Sequence, residues 1–356
     1  MGLPRSKQQL HALAAELGFE LTPLHRNFGA QVSGVDLTKD LDDSTKGFLL
    51  AAMAEYDMLL FRGRALHPRD QERLLTVFPH DEAALKEQRF CNQFFSDRVP
   101  GCPLITVRFH DGGKGEKLVD HYGVNIEAKE PPADYSKFKP FYGSMLWHQD
   151  MSDSPTPPEI SSIYMVEVPD KGGETVFASA VTAYSNLSAE EKERVRKLRT
   201  VNTRAAAFIN LDMSEDGLER LDDMEEAISK AKEAGTFKEQ PRNPFVIKDP
   251  ATGKESILIY IQGLRNFEGM GRKESVALVR RILEPATAES EVYVVDWQPH
   301  DFAVWANRRM LHSGTPGKHY LGLSRRLYHL AFLDSKAPLV PADESLASED
   351  ATSPES

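Results

Sequence analysis

Two residues of one short stretch are placed to share a metal ion. In Trp147-His148-Gln149-Asp150 an imidazole and a carboxylate stand two residues apart, just ahead of the apolar run from Ile160 to Val168. On an extended chain residues i and i+2 point to the same side, so His148 and Asp150 reach one point without a bend in the backbone. Three later histidines compete for a third position: His312, His319 and His329. His312 follows Asp301-Phe302-Ala303-Val304-Trp305-Ala306-Asn307, a strand that ends in polar residues and would carry a ligand to the rim of a β core. His319 falls in the turn region from Gly314 to Gly322, and His329 within the apolar strand Leu327 to Leu333. Two histidines and one carboxylate on one face leave open positions on an octahedral ion, as in non-haem Fe(II) oxygenases. The same donors also serve hydrolytic zinc. A site for 2-oxoglutarate separates the two chemistries, because its distal carboxylate needs a fixed buried cation, and the planar fork of arginine suits it. Ser324-Arg325-Arg326 offers two arginines, of which strand alternation lets only one face inward. Thr175 offers a hydroxyl.

These residues need a scaffold, and the chain of 356 residues is long enough for one large domain or two ordinary ones. Short β-rich runs occur at Met58–Phe61, Ile160–Val168, Thr175–Phe177, Ile257–Ile261, Val292–Val295, Phe302–Trp305 and Leu327–Leu333. Helical spacing marks Lys7 to Gly18, a segment capped by Asp42 or Asp43 and running through Met53, one starting at Pro68, and Ser275 to Leu283. Ser188 with Glu191 forms a capping box for a helix through Leu198, and Ser214 to Lys238 reads as a charged, solvated helical excursion. Strands and helices do not alternate regularly, so a mainly β, α+β fold with a double-sheet core and flanking helices is expected rather than a doubly wound sheet. The expected organisation is one domain over residues 1–337, with 79–142 as a lid or insertion and 338–356 as a disordered acidic tail.

A formal net charge of -11 argues against nucleic acid as a partner, since phosphate neutralisation needs surplus Lys and Arg. No run of about 18 apolar residues occurs, so no membrane association is expected. Cys91 and Cys102, the only cysteines, are too few for a disulfide framework, and a cytoplasmic setting is the default. Thr252-Gly253-Lys254-Glu255-Ser256 looks like part of a phosphate-binding loop, but Lys248 stands where its first glycine belongs and Glu255 where Ser or Thr belongs. It reads as a hairpin turn.

Taken together, the motifs resemble the taurine dioxygenase and dichlorophenoxyacetate dioxygenase family of Fe(II)/2-oxoglutarate oxygenases. The resemblance runs from Leu21 to Leu333. It is carried by Leu21-Thr22-Pro23-Leu24, the stretch from Gly29 to Leu37, Trp147-His148-Gln149-Asp150, Pro157-Pro158 and Gly172-Gly173-Glu174-Thr175. Trp297-Gln298-Pro299, Asp301, Trp305, Asn307, His312 and Arg325-Arg326 continue it. It implies a distorted double-stranded β-helix, or jelly roll. It also implies His148, Asp150 and His312 as iron ligands, and Arg326 with Thr175 as the site for 2-oxoglutarate. Fe(II) with the co-substrates 2-oxoglutarate and O2 would then oxidise a C–H bond of a small molecule, with succinate and CO2 as co-products. Other outcomes at the same centre are desaturation and oxidative cyclisation. A non-catalytic metal-binding or sensing protein on the same fold is a further reading, against which the complete set of four residues speaks. The family's tendency to associate makes a homo-oligomer an expectation.

The sequence departs from the family at Leu330, where sulfonate-cleaving members place a second arginine that grips the anionic substrate. Taurine is therefore expected to be a poor substrate. Tyr142, Ser144, Met145, Met151, Trp305 and Leu330 are candidates for the substrate wall, with ordinary core packing as the competing explanation for each.

Overall fold

The computed structural model describes residues 6–79, 98–99, 102–110, 147–168, 174–203, 221–237, 240–314, 325–331, 339–343 and 345–346, with the backbone alone for 98, 103–104, 106–110, 221–224, 262, 314 and 325–331. In chain order these form α1 (Lys7–Glu16), β1 (Glu20–Pro23), β2 (Ala30–Ser33), α2 (Asp43–Tyr56), β3 (Met58–Phe61) and α3 (Pro68–Leu75). Then come β4 (Arg98–Val99), β5 (Cys102–His110), β6 (Ile160–Glu167), β7 (Thr175–Ser179), α4 (Ala180–Ser185), α5 (Ala189–Arg196) and β8 (Thr200–Asn202). The remainder is α6 (Leu221–Glu233), β9 (Val246–Lys248), β10 (Glu255–Ile257), β11 (Leu264–Phe267), α7 (Arg272–Ala286), β12 (Val292–Val295), β13 (Phe302–Ala306), β14 (Met310–Gly314) and β15 (Arg325–Ala331).

Eight strands make the larger sheet in the order β1-β2-β3-β13-β6-β15-β5-β4, and three make a smaller one, β12-β7-β14. β13 shows why they stack. Every residue of Phe302–Ala306 is apolar and buried, the pattern of a strand covered on both faces. Phe302, Val304 and Ala306 join a cluster with Leu10, Phe48, Ala52 and Leu74, so α1, α2 and α3 cover that side. Ala303 and Trp305 point the other way and meet Phe177 of β7, Val295 of β12 and Met310 of β14, so the two sheets share this inner cluster. Each such fully buried Val, Leu, Met or Phe side chain contributes about 1.5–3 kcal/mol. The far side of the smaller sheet, Val176, Ala178 and Leu311, packs on α4 and on Leu278, Val279 and Ile282 of α7. The result is a mixed α+β architecture with the shared core between the sheets.

Local signals place most boundaries. Asp42 accepts from the backbone N–H of Thr45 at 2.7 Å and caps α2, and Ser188 and Glu191 form the expected box at α5. The look-alike phosphate loop is the β9–β10 hairpin turn, closed by Asp249 N–H to Lys254 O at 2.8 Å with Gly253 at φ 72°. One reading changes, and one segment gains a part in the sheet. Ile257–Ile261 is not one strand: β10 ends at Ile257 and a 3-10 turn takes Ile261–Gly263, because side chains from the 147–154 segment occupy the backbone of Ile257 and Ile259. The segment 79–142, read as a lid or insertion, supplies β4 and β5 to the larger sheet, where β5 pairs with β15. Its remaining residues lie outside those described. The start of 338–356 docks on β9, with Lys248 N–H to Val340 O at 2.8 Å and Ala342 N–H to Val246 O at 3.1 Å. Among the described residues no helix is long and apolar enough to cross a membrane.

Candidate metal centre

The site is assembled by one isolated backbone bridge. His148 N–H donates to His312 O at 3.1 Å and His312 N–H returns the bond to His148 O at 3.0 Å. This reciprocal pair is what directly opposed residues make in an antiparallel ladder, so both imidazoles leave the backbone side by side. Their ring centroids are 4.2 Å apart. The direction follows from β14: Met310 belongs to the cluster between the sheets, and His312, two residues on, shares that face. Asp150 completes the group. Its Oδ1 lies 3.7 Å from Nε2 of His148 and 3.6 Å from Nε2 of His312.

Among the described residues this is the cluster whose donor atoms converge within 4.8 Å. Separations of 3.6 and 3.7 Å exceed a hydrogen bond. Bonds of about 2.0–2.2 Å to one ion would bring neighbouring donors to about 3.0–3.4 Å, so closing on a metal takes shifts of a few tenths of an ångström. Both histidines are buried, and a pair of imidazoles with one carboxylate suits a divalent transition ion with positions left for other ligands.

Aromatic rings form the floor. Trp305 has no exposed surface; its ring meets that of His312 at 4.9 Å in an edge-on contact and that of Phe177 at 5.2 Å. Phe177 in turn stacks on His312 at 6.0 Å. Thr175 lies two residues before Phe177 on β7, with Gly314 as its cross-strand partner, and is buried. Its hydroxyl oxygen accepts from the indole N–H of Trp297 at 3.0 Å, which leaves the hydroxyl proton free to be donated elsewhere. Arg326 stands near the start of β15, in register with Phe109 of β5 and Glu167 of β6. Leu330 pairs with Ser162. The side chains of both lie outside the described residues, as do Tyr142, Ser144, Met145 and His319. His329 is on β15, opposite Ile163. Met151 is half-buried, with a left-handed backbone at φ 52° directly after Asp150.

Residues without chemistry of their own hold this geometry, and sequence reading passed over them. The Gln149 amide, fully buried, donates to Ile257 O and Arg308 O at 3.0 Å each and accepts from Ile259 N–H at 2.9 Å. Asn243 donates to Ser152 O at 2.9 Å and Ser154 O at 2.6 Å. The turn between β13 and β14 is anchored by charge. Arg308 donates to Pro157 O through Nε at 3.0 Å and Nη2 at 2.7 Å. Arg309 pairs with Asp57 at 2.7 Å and with Asp249, and Lys254 reaches both Asp57 oxygens at 3.0 Å. Burial alone would lower the Arg309 guanidinium, but the two carboxylates outweigh it and hold its pKa up. Asp57 itself closes α2 in a left-handed conformation, φ 60°. The signal for Gln149 was present in the sequence only as its alternation with His148 and Asp150; its partners are remote.

Residues 20–330 match the family model described as taurine catabolism dioxygenase TauD, TfdA family. The (S)-phenoxypropionate/alpha-ketoglutarate-dioxygenase of Sphingobium herbicidovorans is 28% identical over 300 residues, 84% of this chain and 90% of that protein. The alpha-ketoglutarate-dependent 2,4-dichlorophenoxyacetate dioxygenase of Cupriavidus pinatubonensis is 24% identical over 313 residues, covering 88% and 96%. Among solved structures, AAD-2 in complex with Mn(II) and N-oxalylglycine superposes with a TM-score of 0.63 at 23% identity, covering 90% of this chain and 98% of that one. A taurine dioxygenase from Burkholderia xenovorans gives 0.64 at 21%, covering 91% and 93%. At these identities the two structures speak for the fold.

Proposed function

The chain belongs to the taurine catabolism dioxygenase TauD, TfdA family, and from that membership we propose that it is an Fe(II)- and 2-oxoglutarate-dependent dioxygenase oxidising an unactivated C–H bond of a small organic molecule. The observation that carries this reading is the convergence of the buried His148 and His312 with the half-buried Asp150 on one point. Its finer features are a single domain built on a distorted double-stranded β-helix, a small-molecule substrate and association into a homo-oligomer.

When bound, Fe(II) with 2-oxoglutarate and O2 supplies oxidative decarboxylation and the oxidant that cleaves the C–H bond. The protein's own share is placement. His148, Asp150 and His312 would hold the ion, with positions left for other ligands. Thr175, whose oxygen is already engaged by Trp297, would donate its proton to a carboxylate of the co-substrate, and Arg326 would supply the matching charge. Trp305 and Phe177 back His312 with apolar surface that keeps water from the inner side of the ligand. Leu330 stands where a second arginine would be needed to grip a sulfonate, so this position offers no guanidinium.

Anaerobic addition of Fe(II) and 2-oxoglutarate should raise a visible charge-transfer band that His148→Ala abolishes. A succinate-release screen across small amines, amino acids, carboxylates and purines, with the same variant as the blank, should then find a substrate. Taurine should give little succinate. No band with the wild-type protein would refute the assignment, and taurine turnover at ordinary rates would refute the part assigned to Leu330. A product one oxygen heavier marks hydroxylation; one two hydrogens lighter marks desaturation or ring closure.

A further inference from the structure

The three ligand residues are not held alike. His148 and His312 are fixed by each other's backbone, as strand partners are. Asp150 lies beyond that bridge, in a turn whose next residue has a left-handed backbone, so no ladder continues past it. Both of its backbone polar groups instead meet one side chain. Asp150 N–H donates to Oδ1 of Asn307 at 2.8 Å, and Nδ2 of Asn307 donates to Asp150 O at 2.9 Å and to Pro158 O at 3.0 Å. Asn307 has no exposed surface, and its own backbone N–H donates to Glu159 O at 2.7 Å. A primary amide carries an acceptor and a donor side by side. That is the pairing a neighbouring strand residue presents to its partner.

We propose that Asn307 is the positioning residue of the Asp150 carboxylate, meeting the Asp150 backbone as a neighbouring strand residue would. All three of its amide contacts are made with backbone groups, so the amide cannot rotate without losing several at once. It sits five residues before His312, on the turn that Arg308 and Arg309 anchor. The carboxylate and the second imidazole are thereby indexed to the same turn, although Asp150 and Asn307 are 157 residues apart. Loss of the amide removes these bonds to both backbone polar groups of Asp150 and loosens its Cα–Cβ direction, while the two histidines stay paired. The inference rests on the reading of His148, Asp150 and His312 as metal ligands.

The test is Co(II) binding to the full-length, metal-free protein without 2-oxoglutarate, followed by calorimetry and by the visible spectrum of the bound ion. Asn307→Ala should weaken binding by roughly 10- to 100-fold, the range for groups that orient ligands, and should change the spectrum. Asn307→Asp keeps the acceptor for Asp150 N–H but sets a carboxylate oxygen against two carbonyls; it should weaken binding at least as much, and it serves should the alanine variant not fold. In an Asp150→Ala background, where no carboxylate remains to be aimed, Asn307→Ala should alter the residual affinity by less than about twofold. Equal losses in both backgrounds would show general damage and overturn the proposal, as would unchanged affinity in the single variants. Failure of the wild-type protein to bind Co(II) would overturn the metal-centre reading beneath it.

Discussion

Replacing Gln149 by leucine should cost the protein about 2–6 kcal/mol of stability while leaving His148, Asp150 and His312 in place. The figure comes from its three contacts. Arg308 O keeps a hydrogen bond from Ser256 Oγ at 2.9 Å when the amide is gone, so that carbonyl is not orphaned. Ile257 O and Ile259 N–H lose their Gln149 bonds in a fully buried setting, and each buried group left without a partner costs about 1–3 kcal/mol. Gln149→Glu divides the effect by pH. It preserves an acceptor for Ile259 N–H but, once ionised, faces two carbonyls with no proton to give. Burial and those carbonyls raise the folded pKa of the introduced carboxyl above its unfolded value of about 4.3. Stability is then retained below the unfolded value and lost as pH rises through the folded one. Urea denaturation of the metal-free protein, with the slope unchanged between variants, reads both effects. A loss below about 1 kcal/mol in Gln149→Leu, or a Gln149→Glu variant whose stability relative to the wild type rises between acid and neutral pH, would refute the role assigned to this amide.

Other perturbations follow from the same contacts. Trp297→Phe removes the bond to Thr175 between two buried groups, worth about 1 kcal/mol; the KM for 2-oxoglutarate should rise roughly fivefold with little change in kcat, as steady-state kinetics would show. Gly263→Ala would put a Cβ 2.5 and 2.6 Å from ring carbons of Tyr260 and 2.9 Å from Thr203 O. Tyr260 is bridged to His148, so thermal melts should show a loss of about 1–3 kcal/mol together with weaker metal binding. Burial works to raise the pKa of Asp249, but the Arg309 charge and the Thr252 hydrogen bonds outweigh it and hold the carboxyl below its usual value. Its contribution is present above the unfolded pKa of about 3.9 and lost as pH falls through the folded one. Asp249→Asn should therefore be less stable near neutrality and flatter on the acid side, measured as urea midpoints against pH.

The sequence by itself determined what depends on near neighbours. Alternation set the common face of His148 and Asp150, the apolar run Phe302–Ala306 set a strand buried on both sides, and single side chains such as Asp42 and Ser188 set helix starts. The pairing of motifs along the chain carried the family, and with it the choice of His312. Helix α4 escaped notice because six residues are too short to show a period, and its start depends on the Ser179 cap. Ile257–Ile261 has the composition of a strand, yet its path was decided by bonds from Gln149 and Ser152, more than a hundred residues away. Only the tertiary structure decided how the Trp147-His148-Gln149-Asp150 stretch is held: His148 by the backbone of His312, Gln149 by three backbone groups, Asp150 by Asn307. A hydrogen bond between distant residues leaves no period and no local propensity in the sequence, whereas side-chain spacing along one strand does.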